Sequence, residues 1–175
     1  MSVPLFTTPR LVVRQLVPDD AAFYMELLND ADFKRHIADR GVHTLDLARE
    51  HLEARVFASY DAHGFGMWCV ARQEDGLPIG IAGLVKRDFL DDVDLGYAFL
   101  PEGRGAGYAT EAALGVMRYA TEKYELARLA AIVSLDNDAS IQVLQRLGFH
   151  RLGEVRFPDG GDRCHHFLIQ LPASI

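Results

Sequence analysis

The pattern of apolar and polar positions divides the chain into short strands and longer helices. Arg10-Leu11-Val12-Val13-Arg14-Gln15-Leu16 is short and β-rich, which predicts a strand. Pro18-Asp19-Asp20 then opens a helix: the acids suit its first turn, and Phe23, Leu27 and Leu28 follow at helical spacing. Thr44 reads as the N-cap of a second helix, with Leu45, Ala48, Leu52 and Val56 along one face. The stretch between them, Asn29 to His43, is polar and irregular, which fits a segment shaping a substrate mouth and equally a plain connection.

Strands dominate the middle. Gly66–Arg72 and Pro78–Val85 flank Glu74-Asp75-Gly76, a hairpin turn signal, and Asp92–Leu100 forms a third strand ended by Pro101. A glycine-rich loop follows, then a long amphipathic helix carrying Ala109, Ala112, Ala113, Val116 and Ala120. Leu129-Ala130-Ala131-Ile132-Val133 is almost wholly apolar, as expected of a strand buried on both faces. Asn137 begins a short helix with Ile141, Leu144 and Leu147 inward, stopped by Gly148. Strands near Arg151–Phe157 and Cys164–Leu171 close the chain. The order β-α-α-β-β-β-α-β-α-β-β predicts an α/β (α+β) fold, with a mixed sheet of about seven strands packed against about four helices.

Length and composition narrow the class. At 175 residues the chain fits a single domain over 1–175, and no repeat or linker interrupts it. Hydrophobic residues make up 49% and charged residues 25%, ordinary for a globular protein. No apolar run approaches the roughly 20 residues that span a bilayer, and Met1–Phe6 shows no cationic or apolar export signal, so the expected location is cytoplasmic. Cys69 and Cys164 fit neither a disulfide framework nor a zinc pattern. A net charge of −7 argues against nucleic acid as partner.

The most informative stretch is Leu100-Pro101-Glu102-Gly103-Arg104-Gly105-Ala106-Gly107-Tyr108-Ala109-Thr110. A strand ends, glycines follow and a helix starts, so the unpaired N–H groups of its first turn form an anion site. A P-loop would need Gly-Lys-Ser/Thr, which is missing, and a dinucleotide fingerprint would need glycine where Thr110 stands. Arg104-x-x-Gly107-x-Ala109 resembles the Arg/Gln-x-x-Gly-x-Gly/Ala loop of GNAT acetyltransferases. Further segments are similar to the Rim-type branch, named for acetyltransferases of ribosomal-protein N-termini. They are Thr8–Arg14 with Pro18-Asp19-Asp20, Ile79-Gly80, Leu95-Gly96-Tyr97, Gly107–Ala112, Asn137-x-x-Ser140 and Leu144-x-x-Leu147-Gly148-Phe149, in order along nearly the whole chain.

The resemblance implies a sheet splayed between its fourth and fifth predicted strands, with acetyl-CoA as co-substrate in the gap. Phe99 and Leu100 would pair with pantetheine through their backbones. Arg104, Gly105, Ala106, Gly107, Tyr108, Ala109 and Thr110 would hold the pyrophosphate, and Asn137 and Arg146 would contact the cofactor. Asn137 also reads as an N-cap, and the two roles are compatible.

For chemistry, the implied reaction is direct acetyl transfer to a primary amine in a ternary complex. The acceptor is a protein N-terminus or a small molecule; the alternative is a non-catalytic CoA-binding sensor. Many relatives protonate the leaving thiolate with a tyrosine, but the matching position is Leu144. Ser140 lies one helical turn earlier and offers a substitute; its bland alternative is a first-turn serine bonded to its own backbone. Asp94 matches the family's strand acid and is the candidate base; alternation puts it on one face with Gly96 and Ala98, against a plain reading as a solvated strand start. Cys164-His165-His166 is not read as a metal site, because adjacent strand residues point to opposite faces. His36 and His43 lie in the irregular segment, and Trp68 and Tyr97 read as sheet core. The expected assembly is a monomer or homodimer, with no metal and no membrane partner.

Overall fold

The computed structural model describes residues 2–172; Met1, where the reading of the N-terminus starts, lies outside them. Eight strands form one sheet: β1 (Pro4–Thr7), β2 (Leu11–Gln15), β3 (Met67–Arg72), β4 (Pro78–Val85), β5 (Asp94–Phe99), β6 (Arg128–Ser134), β7 (His150–Arg156) and β8 (Arg163–Gln170). Their spatial order is β1-β2-β3-β4-β5-β6-β8-β7. The expectation of seven strands missed β1, a four-residue edge strand starting at a proline and fixed mainly by Phe6 against Tyr119 and Trp68.

Every strand pair is antiparallel except β5 and β6. These two run parallel and register at a single pair, Asp94 with Ala130, supported by an Ala130 N–H to Val93 carbonyl bond of 2.9 Å. Beyond Asp94, β5 continues along β4 while β6 continues along β8, so the sheet opens into a gap. This is the splay expected between the fourth and fifth predicted strands.

One face of the sheet carries α5 (Tyr108–Tyr124) and α6 (Asp138–Leu147), packed with Trp68, Val70, Leu95, Phe99, Ala131, Val133 and Phe167 in one cluster. The other carries α1 (Ala21–Leu28), α2 (Ala31–His36), and α3 (Leu45–His51), which passes through a π-helical segment, Leu52–Phe57, into α4 (Ala58–His63). Cys69, Ile81 and Leu100 belong to this second cluster, with Ala98 packed against it. Asn29 to His43 is therefore not wholly irregular. Asp30 caps α2 by accepting from the Asp32 and Phe33 N–H groups, and Phe33 is the helix's one buried side chain, too little to show a period.

A buried ion pair ties β2 to the entry of α1. The Arg14 guanidinium donates to both Asp20 carboxylate oxygens at 2.8 and 2.9 Å, and Asp20 Oδ2 also accepts from the Val17 N–H at 2.8 Å. Both side chains are 8% exposed, so removing one strands the other in the core. Asp20→Ala is expected to cost roughly 3–5 kcal/mol, read as a lower urea midpoint at unchanged slope.

Candidate functional site

The glycine loop takes the conformation its composition requires. After a 3-10 turn over Pro101–Gly103, Gly105 and Gly107 adopt φ of 78° and 81°, where a side chain would be strained. Arg104 through Gly107 are exposed, and α5 begins at Tyr108 with no side-chain cap. The first-turn N–H groups of Tyr108, Ala109 and Thr110 lack the carbonyl partners of a preceding turn and carry the positive end of a 17-residue helix dipole. Glu111 anchors this helix start by accepting from the Thr8 hydroxyl at 2.6 Å, the Arg10 N–H at 2.8 Å and the Arg10 Nε at 2.7 Å. Arg10 in turn lies 4.3 Å over the Tyr108 ring.

The Arg104 guanidinium is engaged within the protein rather than free for a phosphate. It pairs with Asp30 and Asp32 at the start of α2 and donates to the Phe99 carbonyl at 2.7 Å, tying the loop to the opposite face of the sheet. Leu100 departs from expectation as well. Its N–H donates to the Ile79 carbonyl at 2.8 Å, so it belongs to the ladder with β4. Backbone groups alternate sides along a strand, and those of Phe99 therefore point away from β4, toward the gap. Beside the loop, Thr8, Arg10, Gly107, Thr110, Arg118 and Arg146 line a cavity of about 550 Å³. Arg118 and Arg146 have no acidic partner among the described residues.

On the α6 side of the gap, Asn137 Oδ1 accepts from the Ser140 N–H at 3.3 Å, the N-cap foreseen for it. Ser140 does not rest on its own backbone alone: its Oγ lies 2.8 Å from the Tyr97 hydroxyl. Burial, offset in part by that bond, pushes Tyr97 up to about 12. Leu144 is 1% exposed and part of the core, so it offers nothing to the gap.

Asp94 occupies the other face, at the point where β5 and β6 part. It is 2% exposed; Arg87 Nε donates to its Oδ2 at 2.9 Å, and Oδ1 has no partner among the described residues. Burial pushes its pKa up to about 6, and the Arg87 charge and hydrogen bond, with a weaker backbone contact from Ile132, offset only part of that. It is no solvated strand start. Nearby, His36 Nδ1 sits 3.0 Å from the Ser134 hydroxyl at the end of β6 and 3.5 Å from Asp136. His43 meets the Asn29 side chain at 3.1 Å. His165 and His166 pair with Val133 and Ile132 of β6, consecutive and thus on opposite faces, and no cluster of metal-binding side chains occurs among the described residues.

Three neighbours escaped the sequence reading. Arg87 lies in an aperiodic loop, and nothing local marks it as the partner of Asp94. Arg40 senses the charges of Arg55 and Arg87, which lie on other elements; packing and these charges lower the Arg40 pKa. Packing and the Arg40 and Arg55 charges likewise lower that of His51, whose Nδ1 lies 2.9 Å from the Tyr24 hydroxyl. Neither Arg40 nor Arg55 has a carboxylate partner among the described residues, whereas Arg87 is paired with Asp94.

This architecture has close counterparts. The acetyltransferase (GNAT) domain family matches residues 10–150. The N-acetyltransferase YoaA of Bacillus subtilis (strain 168), itself uncharacterised, is 25% identical over 87% of this chain and 86% of its own. An acetyltransferase structure from Agrobacterium tumefaciens superposes with a TM-score of 0.79 at 23% identity, covering 97% of this chain and 96% of that one. RimL, a ribosomal L7/L12 α-N-protein acetyltransferase solved with coenzyme A, superposes with a TM-score of 0.80 at 16% identity over 99% and 100% of the two chains. The chain belongs to the GNAT acetyltransferase family and resembles its Rim-type members. Its family and its relatives make it an acetyltransferase. Among the described residues, no helix is long and apolar enough to cross a membrane.

Proposed function

We propose that this chain transfers acetyl from acetyl-CoA to a primary amine by direct attack in a ternary complex. The observation that carries the reading is the gap itself. It opens at Asp94–Ala130, with an uncapped helix start and two left-handed glycines at one end and a buried carboxylate with a free oxygen at the other.

Acetyl-CoA supplies the activated acyl group. The N–H groups from Gly105 to Thr110 fit its pyrophosphate, since two positions lack a Cβ and a third, Ala106, carries only a methyl. Phe99 offers backbone groups to the pantetheine, and Asn137 and Arg146 reach the cofactor from α6 and its far end. Arg104 orients the loop through Asp30 and Phe99. Asp94, ionised above about pH 6, accepts the proton released as the amine lone pair attacks the thioester carbon. When the carbon–sulfur bond breaks, its electron pair goes to sulfur, and Ser140 donates a hydrogen bond there.

Arg40, which has no carboxylate partner among the described residues and senses the charges of Arg55 and Arg87, supports an acceptor bearing negative charge near its amine over a polyamine. A panel of spermidine, free amino acids and peptides with acidic residues after the N-terminus, read by mass spectrometry for a 42-Da gain (about the mass of an acetyl replacing hydrogen), tests this. Acid-bearing amines are expected to exceed spermidine in kcat/KM by about tenfold or more. Preference for spermidine would contradict the acceptor assignment, and transfer to no amine would contradict the function.

A further inference from the structure

Leu144, at the position where the family resemblance implies a tyrosine, is part of the core, yet a phenol still reaches that helix. It comes from the strand. Tyr97 lies on β5, on the face shared with Leu95 and Phe99, and its hydroxyl crosses to α6 to meet Ser140 Oγ at 2.8 Å and, more distantly, the Ser140 carbonyl at 3.3 Å. Because β5 and β6 have parted by this point and α6 follows β6, the contact bridges the two walls of the gap.

Ser140 is thus held twice. Asn137 Oδ1 accepts its N–H, and its Oγ shares a 2.8 Å hydrogen bond with the Tyr97 hydroxyl. A serine hydroxyl has one proton, and without a partner it would rotate among acceptors, including the carbonyls of its own helix. The phenol is the more acidic of the two hydroxyls, and its closer contact is Oγ rather than the carbonyl. With the phenol as donor to Ser140 Oγ, the serine proton is left free for a third atom. We infer that Tyr97 is a positioning residue: it fixes Ser140 Oγ as an acceptor so that the Ser140 proton is aimed into the gap, at the sulfur of coenzyme A. The two hydroxyls form a relay in which cooperative bonding strengthens the outer donor.

This inference rests on the proposed coenzyme A site, and it is tested without any acceptor. Coenzyme A is bound to the wild type, Tyr97→Phe, Ser140→Ala and the double variant, and the thiol is titrated by its thiolate absorbance. Calorimetry confirms binding, and thermal melts confirm the fold. A donor aimed at sulfur stabilises thiolate, so the wild-type complex is expected to hold about tenfold more thiolate at a given pH below the thiol pKa than Ser140→Ala. Tyr97→Phe is expected to lose most of that enrichment with little change in coenzyme A affinity, and the double variant to match Ser140→Ala. A merely structural tyrosine would alter melting and affinity but not the thiol. If coenzyme A binds and Tyr97→Phe titrates like the wild type, this inference fails while the binding site stands. If the folded wild type does not bind coenzyme A, both fail.

Discussion

Asp94→Asn is expected to lower acetyl transfer by about 10²- to 10⁴-fold, the range for loss of a general base. The folded protein is expected to tolerate the change. The carboxyl has a pKa of about 6 in the fold against an ordinary 3.8, so ionising it opposes folding. The stability it allows is fully present below the unfolded value and is lost as pH rises through about 6. Asparagine removes that cost. Relative to wild type, the variant should therefore melt as high or higher at pH 8 and lose this advantage below pH 4, by an amount on the order of 3 kcal/mol less what Arg87 forfeits with its partner. Because Arg87 is 29% exposed, water can compensate it. As the proposed base, the same group should set the pH profile: wild-type kcat/KM should rise with pH to a bend near 6, and that bend should vanish in the variant. Wild-type rates in a folded Asp94→Asn enzyme would remove Asp94 from the mechanism.

Gly107→Glu is expected to weaken acetyl-CoA by about 100-fold or more, because a carboxylate replaces open space where the pyrophosphate would sit against the helix start. Gly107 has a φ of 81°, so any side chain there strains the loop. Gly107→Ala separates the two effects. It carries the strain without the charge, and its Cβ would meet only the Arg10 guanidinium, at 3.5 Å. A modest loss for alanine and a severe one for glutamate, read as KM for acetyl-CoA at equal melting temperature, would locate the anion at this loop. Equal losses would reduce the effect to backbone strain.

The parts of the site that were legible in the chain are those whose constraints are local. Gly105 and Gly107 are glycines because the backbone is left-handed there, and Asn137 caps the residues beside it. Asp94 was assigned the right face because strand alternation needs no partner strand. Leu100 was misplaced because the side to which an N–H points depends on the register with β4, through Ile79, which no residue of β5 encodes alone. Tyr97 was read as core for a similar reason: its ring does pack in the core, and its hydroxyl finds Ser140, 43 residues away, only once α6 is docked. Strand β1 and helix α2 are too short, with too few buried side chains, for any period to emerge. Arg40, Arg55 and Arg87 lie on separate elements, and their proximity carries no signature in any one of them.

The central claim is that acetyl-CoA lies from the glycine loop into the gap between β5 and β6. Hydrogen–deuterium exchange on the wild type, with and without saturating acetyl-CoA, tests it most directly. The uncapped N–H groups of Tyr108–Thr110 and the gap-facing edge of Tyr97–Phe99 should exchange readily in the free protein and slow on binding. Protection confined to peptides covering Tyr97–Phe99, Arg104–Thr110 and the start of α6 is the expected result. Protection elsewhere, or none at a concentration that saturates binding, would contradict the account.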